Sequence, residues 1–255
     1  ISERGWLVME TLFVEAPYEK DIELSKETCD YLKEKKYTKI ALYASVQFCN
    51  NLQTIEKQLE DLGITIISSQ PKRAQCQKQL LGCDCYKDSL NTEEDVDCYL
   101  YIGDGKFHPL ALVYAQKDNK KTIEVVCNDP IAKTMTILTT NDIIKNLKKY
   151  KGSLIKFISA TKIGVIITIK PGQEQYKHSL ELEKTYPDKK LYYFIDNNIS
   201  FDQLENFPFI DIWVNTACPR IGFDDHNMFQ KSVLNLNDSL HANTILSKDS
   251  ILNRG

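Results

Sequence analysis

Short β-branched runs alternate with helix-patterned segments along the whole chain, and that alternation admits few folds. A strand, a covering helix and a second strand return the chain to the same sheet edge, so repeated units of this kind build parallel sheets with helices on their faces. The clearest predicted strands are 39–44, 64–68, 98–102, 122–127, 163–169, 191–195 and 210–215. Between the first two, Leu52, Ile55, Leu59 and Leu62 recur at helical spacing, and Gly63 stands where a helix stops. A second unit runs from a strand at Ile163 through a helix from Gly172 to about Lys184 and on to a strand at Leu191. Its opening repeats the first, Thr38-Lys39-Ile40 being matched by Thr161-Lys162-Ile163, and a helix over 145–158 lies between them. The expected fold class is α/β, with small repeated parallel-sheet domains and a boundary near 135–141.

Composition narrows what such a chain can do. Its 255 residues suffice for two cores. With 42% apolar and 26% charged residues the chain is neither disordered nor of low complexity. A net charge of −3 excludes the strong positive field of a non-specific nucleic-acid binder, and the lysine runs at 33–36 and 148–151 read as solvated helix ends. No run approaches the roughly 20 apolar residues that span a bilayer, and no signal core follows Ile1, so no membrane association and a cytoplasmic location are expected. In a reducing compartment eight cysteines point to metal or redox chemistry before disulfides.

Sheets of this class bind ligands in loops beyond the carboxyl ends of their strands, here the loops after Ser68, Ile102, Cys127, Ile169 and Asn215. Cys218 directly follows an apolar strand, and Pro219 cannot continue its pairing, so the thiol is either a ligand at the sheet edge or a small buried strand cap. Cys83 lies in the long loop between Gln70 and Asp97, where a thiol is less easily core. The two are too distant in sequence for a zinc-ribbon spacing, but a site assembled from two domains can use one thiol from each. Three cysteines on an iron–sulfur cluster leave one iron open to a substrate.

His108, at a helix start after the Gly103-Asp104-Gly105 turn, is a general-base candidate or a structural helix-start histidine. Gly103 and Gly105 allow close backbone approach to a ligand or form an ordinary turn, and Gly172-Gln173 either offers N–H groups to a carboxylate or is a plain strand-to-helix turn. Cys98, Cys127, Cys29 and Cys49 read as core, and Cys76 and Cys85, which share the loop with Cys83, read first as structural, with spare ligands as the lesser alternative.

These residues resemble the diphthamide synthases of archaea and the paired eukaryotic subunits. The resemblance runs in order through Thr11-Leu12-Phe13-Val14-Glu15-Ala16, Leu81-Gly82-Cys83, the segment from Gly103 to Leu110, Asn128-Asp129-Pro130, Lys170-Pro171-Gly172-Gln173 and Ala217-Cys218-Pro219-Arg220 with Asp224-Asp225. It implies three α/β domains, each giving one cysteine to a 4Fe-4S cluster, with Cys83 and Cys218 as the metal ligands of the second and third. On that reading 1–16 is a remnant of the first domain, 17–138 the middle domain and 139–255 the last. The family's first ligand sits in a Tyr-Gly-small-Cys segment that does not occur here, so the start at Ile1 is read as a cut.

The resemblance further implies an S-adenosylmethionine-dependent transferase. Its open iron would bind the amino-acid end of S-adenosylmethionine, and its reduced cluster would generate an aminocarboxypropyl radical that adds to a histidine of elongation factor 2. His108 is then the candidate catalytic residue, and Gly103, Gly105, Asp129, Gly172 and Gln173 are the candidate cofactor-binding positions. A homodimer is implied, as in archaeal members. With two of three ligands present, the 255-residue form is expected not to turn over S-adenosylmethionine by itself. Two other readings are a non-catalytic partner subunit of a synthase complex and a two-domain small-molecule binding protein.

Overall fold

The computed structural model describes residues 16–90, 95–105, 107–170, 175–198, 200–223 and 230–254. The first part runs α1 (Lys26–Lys35), β1 (Lys39–Ala44), α2 (Gln53–Asp61), β2 (Thr65–Ile67), α3 (Lys87–Leu90), β3 (Cys98–Ile102), α4 (Pro109–Ala115), β4 (Glu124–Asp129) and β5 (Thr134–Leu138). The second runs α5 (Thr140–Ser159), β6 (Lys162–Thr168), α6 (Tyr176–Ser179), α7 (Glu181–Thr185), β7 (Lys190–Asp196), α8 (Phe201–Leu204) and β8 (Ile212–Asn215). It ends with α9 (Arg220–Phe223), β9 (Val233–Asn235), α10 (Leu236–Leu240) and α11 (Ala242–Ser247). The fold is α/β, with parallel sheets flanked by helices.

The two sheets share one plan. Parallel strands lie in the order β2-β1-β3-β4 in the first and β7-β6-β8-β9 in the second, and only the first adds an antiparallel edge, β5. The repeated Thr-Lys-Ile openings have a common physical reason. Asp97, immediately before β3, accepts hydrogen bonds from the backbone N–H groups of Thr38 (2.7 Å) and Lys39 (2.9 Å). Asp211, immediately before β8, does the same for Thr161 (3.0 Å) and Lys162 (2.7 Å). Those backbone donors hold both carboxyls below the usual carboxylate range. Each aspartate thus fixes the start of a central strand against its neighbour.

Side chains alternate across the strands, as the two-residue period requires. In β1, Ile40, Leu42 and Ala44 pack with α1 and α2, while Ala41 and Tyr43 face a second layer. That layer is one continuous core, passing from Tyr99 and Tyr101 through α4 and α5 to Ile163, Val165 and Val214 of the second sheet. Helix α5 starts earlier than its apolar periodicity predicts, because Thr139 and Asp142 form a capping box. Among the described residues no helix is long and apolar enough to cross a membrane. The stretch 135–141 covers the end of β5 and the start of α5.

Candidate functional site

The carboxyl ends of β3 and β8 face each other across the shared core, and the loops that follow them meet there. After β3 the chain turns through Gly103 and Gly105. A Cβ on Gly103 would stand 2.5 Å from the Tyr101 hydroxyl, so glycine is required for the chain to fold back over that ring. Gly105 has φ +65, a left-handed conformation that glycine adopts without strain. The turn delivers Phe107 and His108 to the start of α4, where Pro109 can occupy the first helical turn without a missing donor.

After β8 the chain is held by asparagines. Asn215 Nδ2 donates to the Cys218 carbonyl (2.9 Å) and to Asn235 Oδ1 (2.8 Å), and Asn235 Nδ2 donates to the Pro219 carbonyl (2.8 Å). The Cys218-Pro219 turn is therefore fixed from the ends of β8 and β9 together.

Cys83 reaches the same place by a different route. The excursion after β2 folds back so that Lys78 to Leu80 extends the end of β1, with Ala44 N donating to the Lys78 carbonyl (2.8 Å) and Leu80 N to the Ala44 carbonyl (2.9 Å). Gly82 then lies against the opposing loops. A Cβ there would stand 2.6 Å from the Phe107 ring and 3.3 Å from Arg220 Cδ. Arg220 itself is buried, its guanidinium carbon 4.1 Å from the Phe107 ring centroid. Cys83 and Cys218 thus sit beside the same Phe107–Arg220 contact, both half-buried. Burial raises the Cys83 thiol above its usual pKa, the adjacent Asp84 adds to this, and the Cys218 sulfur lies close enough to contribute in the same direction.

His108 packs between rings, stacked on Tyr101 at 6.2 Å and edge-on to Phe107 at 5.2 Å. Burial, reinforced by Arg220, lowers its pKa, so the imidazole is neutral at pH 7 and able to give or take one proton. It makes no side-chain cap to α4. Asp129 ends β4, where its Oδ1 accepts from Ile131 and Ala132 N–H (both 2.9 Å) and shapes the hairpin into β5. Gly172, Gln173, Asp224, Asp225 and the motif at 11–15 lie outside the described residues. Gln175, just beyond, lines a 290 Å³ cleft with Arg73, Asn215 and Thr216, and Ala217 and Pro219 bring that cleft next to Cys218.

Of the remaining thiols, Cys29 and Cys49, expected in the core, are only partly buried against it. Cys98 and Cys127 are buried in strands of the first sheet, as expected of core residues. Cys85, considered as a spare ligand, is fully buried in the shared core with its thiol directed to the Cys83 carbonyl at 3.5 Å. Cys76 is half-buried, its N–H bonded to the Gln79 side chain at 3.2 Å. Sequence reasoning missed Asn215, Asn235, Tyr86 and Asp238, which hold the site loops from behind. Only Asn215, which closes the predicted strand at 210–215, stood where a signal could be read.

A family model described as "Putative diphthamide synthesis protein" matches residues 5–244. The chain belongs to the diphthamide synthesis protein family. One relative, a 2-(3-amino-3-carboxypropyl)histidine synthase of Pyrococcus horikoshii, is 30% identical over 217 residues, covering 84% of this chain and 59% of the relative. A synthase of the same name from Methanocaldococcus jannaschii is 27% identical over 199 residues, covering 76% of this chain and 49% of the relative. The crystal structure of Dph2 from Pyrococcus horikoshii with a 4Fe-4S cluster superposes with a TM-score of 0.67 at 26% identity, covering 87% of this chain and 60% of that one. The chain therefore spans about half to three fifths of the lengths of these relatives.

Whether the residues suit such a cluster is a question of donor chemistry. Cysteine thiolates are its usual ligands, and Cys83 and Cys218 fit as two of them. Among the described residues no group of three or more His, Cys, Asp or Glu side chains gathers to hold a metal.

Proposed function

We propose that this chain serves a transferase that moves a 3-amino-3-carboxypropyl group from S-adenosylmethionine to a histidine of elongation factor 2, with Cys83 and Cys218 holding a 4Fe-4S cluster. The observation that carries the reading is that Gly82, next to Cys83, and Arg220, two residues after Cys218, meet on the Phe107 ring while both thiols are half-buried. The likeness to a Dph2 that contains such a cluster supports it. When bound, the cluster would supply the electron that splits the bond between the sulfonium sulfur and the aminocarboxypropyl carbon.

The chain's own residues would set the conditions. Cys83 carries its proton in the metal-free chain because burial raises its pKa, so iron binding releases that proton and is favoured by rising pH. Tyr101, Phe107 and His108 form a ring-lined wall in which Tyr101 is buried and Phe107 is half exposed. Neutral His108 would hold or pass a proton at this wall. The 290 Å³ cleft between Arg73, Gln175 and Thr216 matches the amino-acid end of S-adenosylmethionine better than the whole molecule. Gly103, Gly105, Gly172 and Gln173 would supply backbone approach around it. The same reading includes domains at 17–138 and 139–255, a cytoplasmic location and a homodimer.

The test is anaerobic reconstitution with iron and sulfide, followed by metal and sulfide analysis and, after dithionite reduction, transfer to elongation factor 2. Wild-type chain should retain iron, and Cys83→Ala and Cys218→Ala should each lower it at least fivefold. Equal iron in all three would sink the ligand assignment. A second reading, a partner subunit that completes a cluster on another chain, is favoured by the lack of a three-ligand group among the described residues. It predicts that iron is retained only after a complete synthase chain is added.

A further inference from the structure

The two cysteine loops are tied to one short segment of backbone, and the tie belongs to neither loop. Asn235, the last residue of β9, accepts from Asn215 and donates to the Pro219 carbonyl, which fixes the turn carrying Cys218. Three residues on, in α10, Asp238 Oδ2 accepts from the Tyr86 hydroxyl at 3.0 Å. Tyr86 closes the Gly82-Cys83-Asp84-Cys85 stretch, so this bond spans 152 residues of sequence to anchor the Cys83 loop. Asn235 and Asp238 are both buried, and Gly222 packs so closely on the Asn235 amide that a Cβ there would stand 2.4 Å from Asn235 Oδ1. Ser239 adds a hydroxyl bond back to the Asn235 carbonyl at 2.9 Å, which stiffens the step between the two anchors.

We infer that Asn235 and Asp238 are positioning residues: together with Tyr86 they set the separation of the Cys83 and Cys218 sulfurs. The inference rests on the reading that these two thiols act as a pair on one cluster, but its geometry does not require metal. A hydrogen bond from the Tyr86 hydroxyl to a buried carboxyl group is a directional tether, and the carboxyl's low exposure keeps water from competing for it. Loss of the tether frees the Cys83 loop at one end while the Lys78–Leu80 pairing to β1 still holds the other. The expected effect is therefore a wider and less uniform distance between sulfurs, with the fold retained.

The measurement is thiol bridging in the metal-free, reduced chain. Dibromobimane joins two thiols only when they lie close together, and mass spectrometry of the digested protein counts the peptide pair that contains Cys83 and Cys218. Wild type should give this bridged pair in high yield. Tyr86→Phe removes only the donor and should lower the yield at least fivefold. Asp238→Leu and Asn235→Ala should do the same. Asp238→Asn keeps an acceptor for Tyr86 and should retain most of the wild-type yield, whereas Asp238→Leu, similar in size but without an acceptor, should not, and a role for bulk alone predicts no such contrast. Far-ultraviolet circular dichroism identifies any variant that fails to fold, and Tyr86→Phe, the mildest change, keeps the inference exposed to failure.

Iron content after anaerobic reconstitution is measured on the same variants. Unchanged bridging in folded Tyr86→Phe, or no Cys83–Cys218 pair even in wild type, overturns the positioning role whatever the iron content. Bridging that falls in Tyr86→Phe and is retained in Asp238→Asn supports it. If wild type then binds no iron, the cluster assignment fails while the positioning role stands.

Discussion

The first and second sheets are the same frame carrying different loops. Both lay four parallel strands in one order, and both fix the start of their central strand with an aspartate that precedes the next strand in the sheet, Asp97 in one and Asp211 in the other. Beyond the carboxyl ends the likeness stops. The loop after β3 delivers Phe107 and His108, whereas the corresponding loop after β8 delivers Cys218 and Arg220. The asparagines at matching register positions of the fourth strands, Asn128 of β4 and Asn235 of β9, also part ways. Asn128 accepts from the Ser25 N–H and the Thr28 hydroxyl, both at 2.8 Å, and so seats the start of α1, while Asn235 holds the Cys218 turn. A frame made of backbone pairing tolerates any loop that leaves its ends in place, so chemistry is free to differ between two copies.

The largest expected effect tests how far the frames are interchangeable. Gly164 of β6 corresponds to Ala41 of β1, and their partners in register are Trp213 and Tyr99. A Cβ on Gly164 would stand 2.2 Å from the Trp213 ring, which has nowhere to go in the core. Gly164→Ala should therefore destabilise the protein by about 3 kcal/mol, measured by denaturant unfolding, and adding Trp213→Tyr should recover a large part of that. No recovery would mean that the two sheets are packed on different principles.

A smaller and symmetric effect is expected at the strand starts. Asp97→Ala and Asp211→Ala each remove bonds to two backbone N–H groups and should each cost about 1 kcal/mol at pH 7. Because both carboxyls are held below their ordinary value, their contribution is present above about pH 3.9 and is lost as pH falls through the lower folded-state value. An acid unfolding series on the two variants should show equal losses, and a marked inequality would break the symmetry.

The smallest effect concerns His108. Its folded-state pKa is lowered, so the native state binds fewer protons than the unfolded state once pH drops below about 6.5, and stability should fall slightly from there downward. Imidazole resonances followed by NMR should titrate below that value, and Arg220→Met should move them up.

Much of this frame is legible in the sequence, and the reasons are local. Strands 39–44 and 98–102 are predicted with the boundaries the structure has, because both are apolar on two faces and are bounded by charged or turn residues. The strand expected at 122–127 shifts to Glu124–Asp129, since Gln116 claims the Ile123 N–H and C=O for itself at 2.7 and 3.0 Å. Two strands were not predicted. β5 is half exposed and recruited only by its turn, and β9 has three residues, too few for a periodicity. Cys83, Cys218 and His108 could be singled out because they stand beyond strand ends, while Phe107 and Arg220 entered only within the motifs of the resemblance. Tyr86 and Asp238 could not, because a bond across 152 residues leaves no trace in spacing, and Asn235 closes a strand too short to read.

The stitch between β1 and the Lys78–Leu80 segment has a consequence for how this chain tolerates change in length. The pairing of Ala44 with its neighbours across the stitch means that Cys83 is counted from the end of β1 and not from β2. Residues added between Ile67 and Ser69 would alter the path of the excursion without moving the thiol. One residue added between Gln79 and Cys83 would move the sulfur out of reach of its counterpart. Natural or engineered insertions should therefore be crowded on one side of Gln79 and scarce on the other.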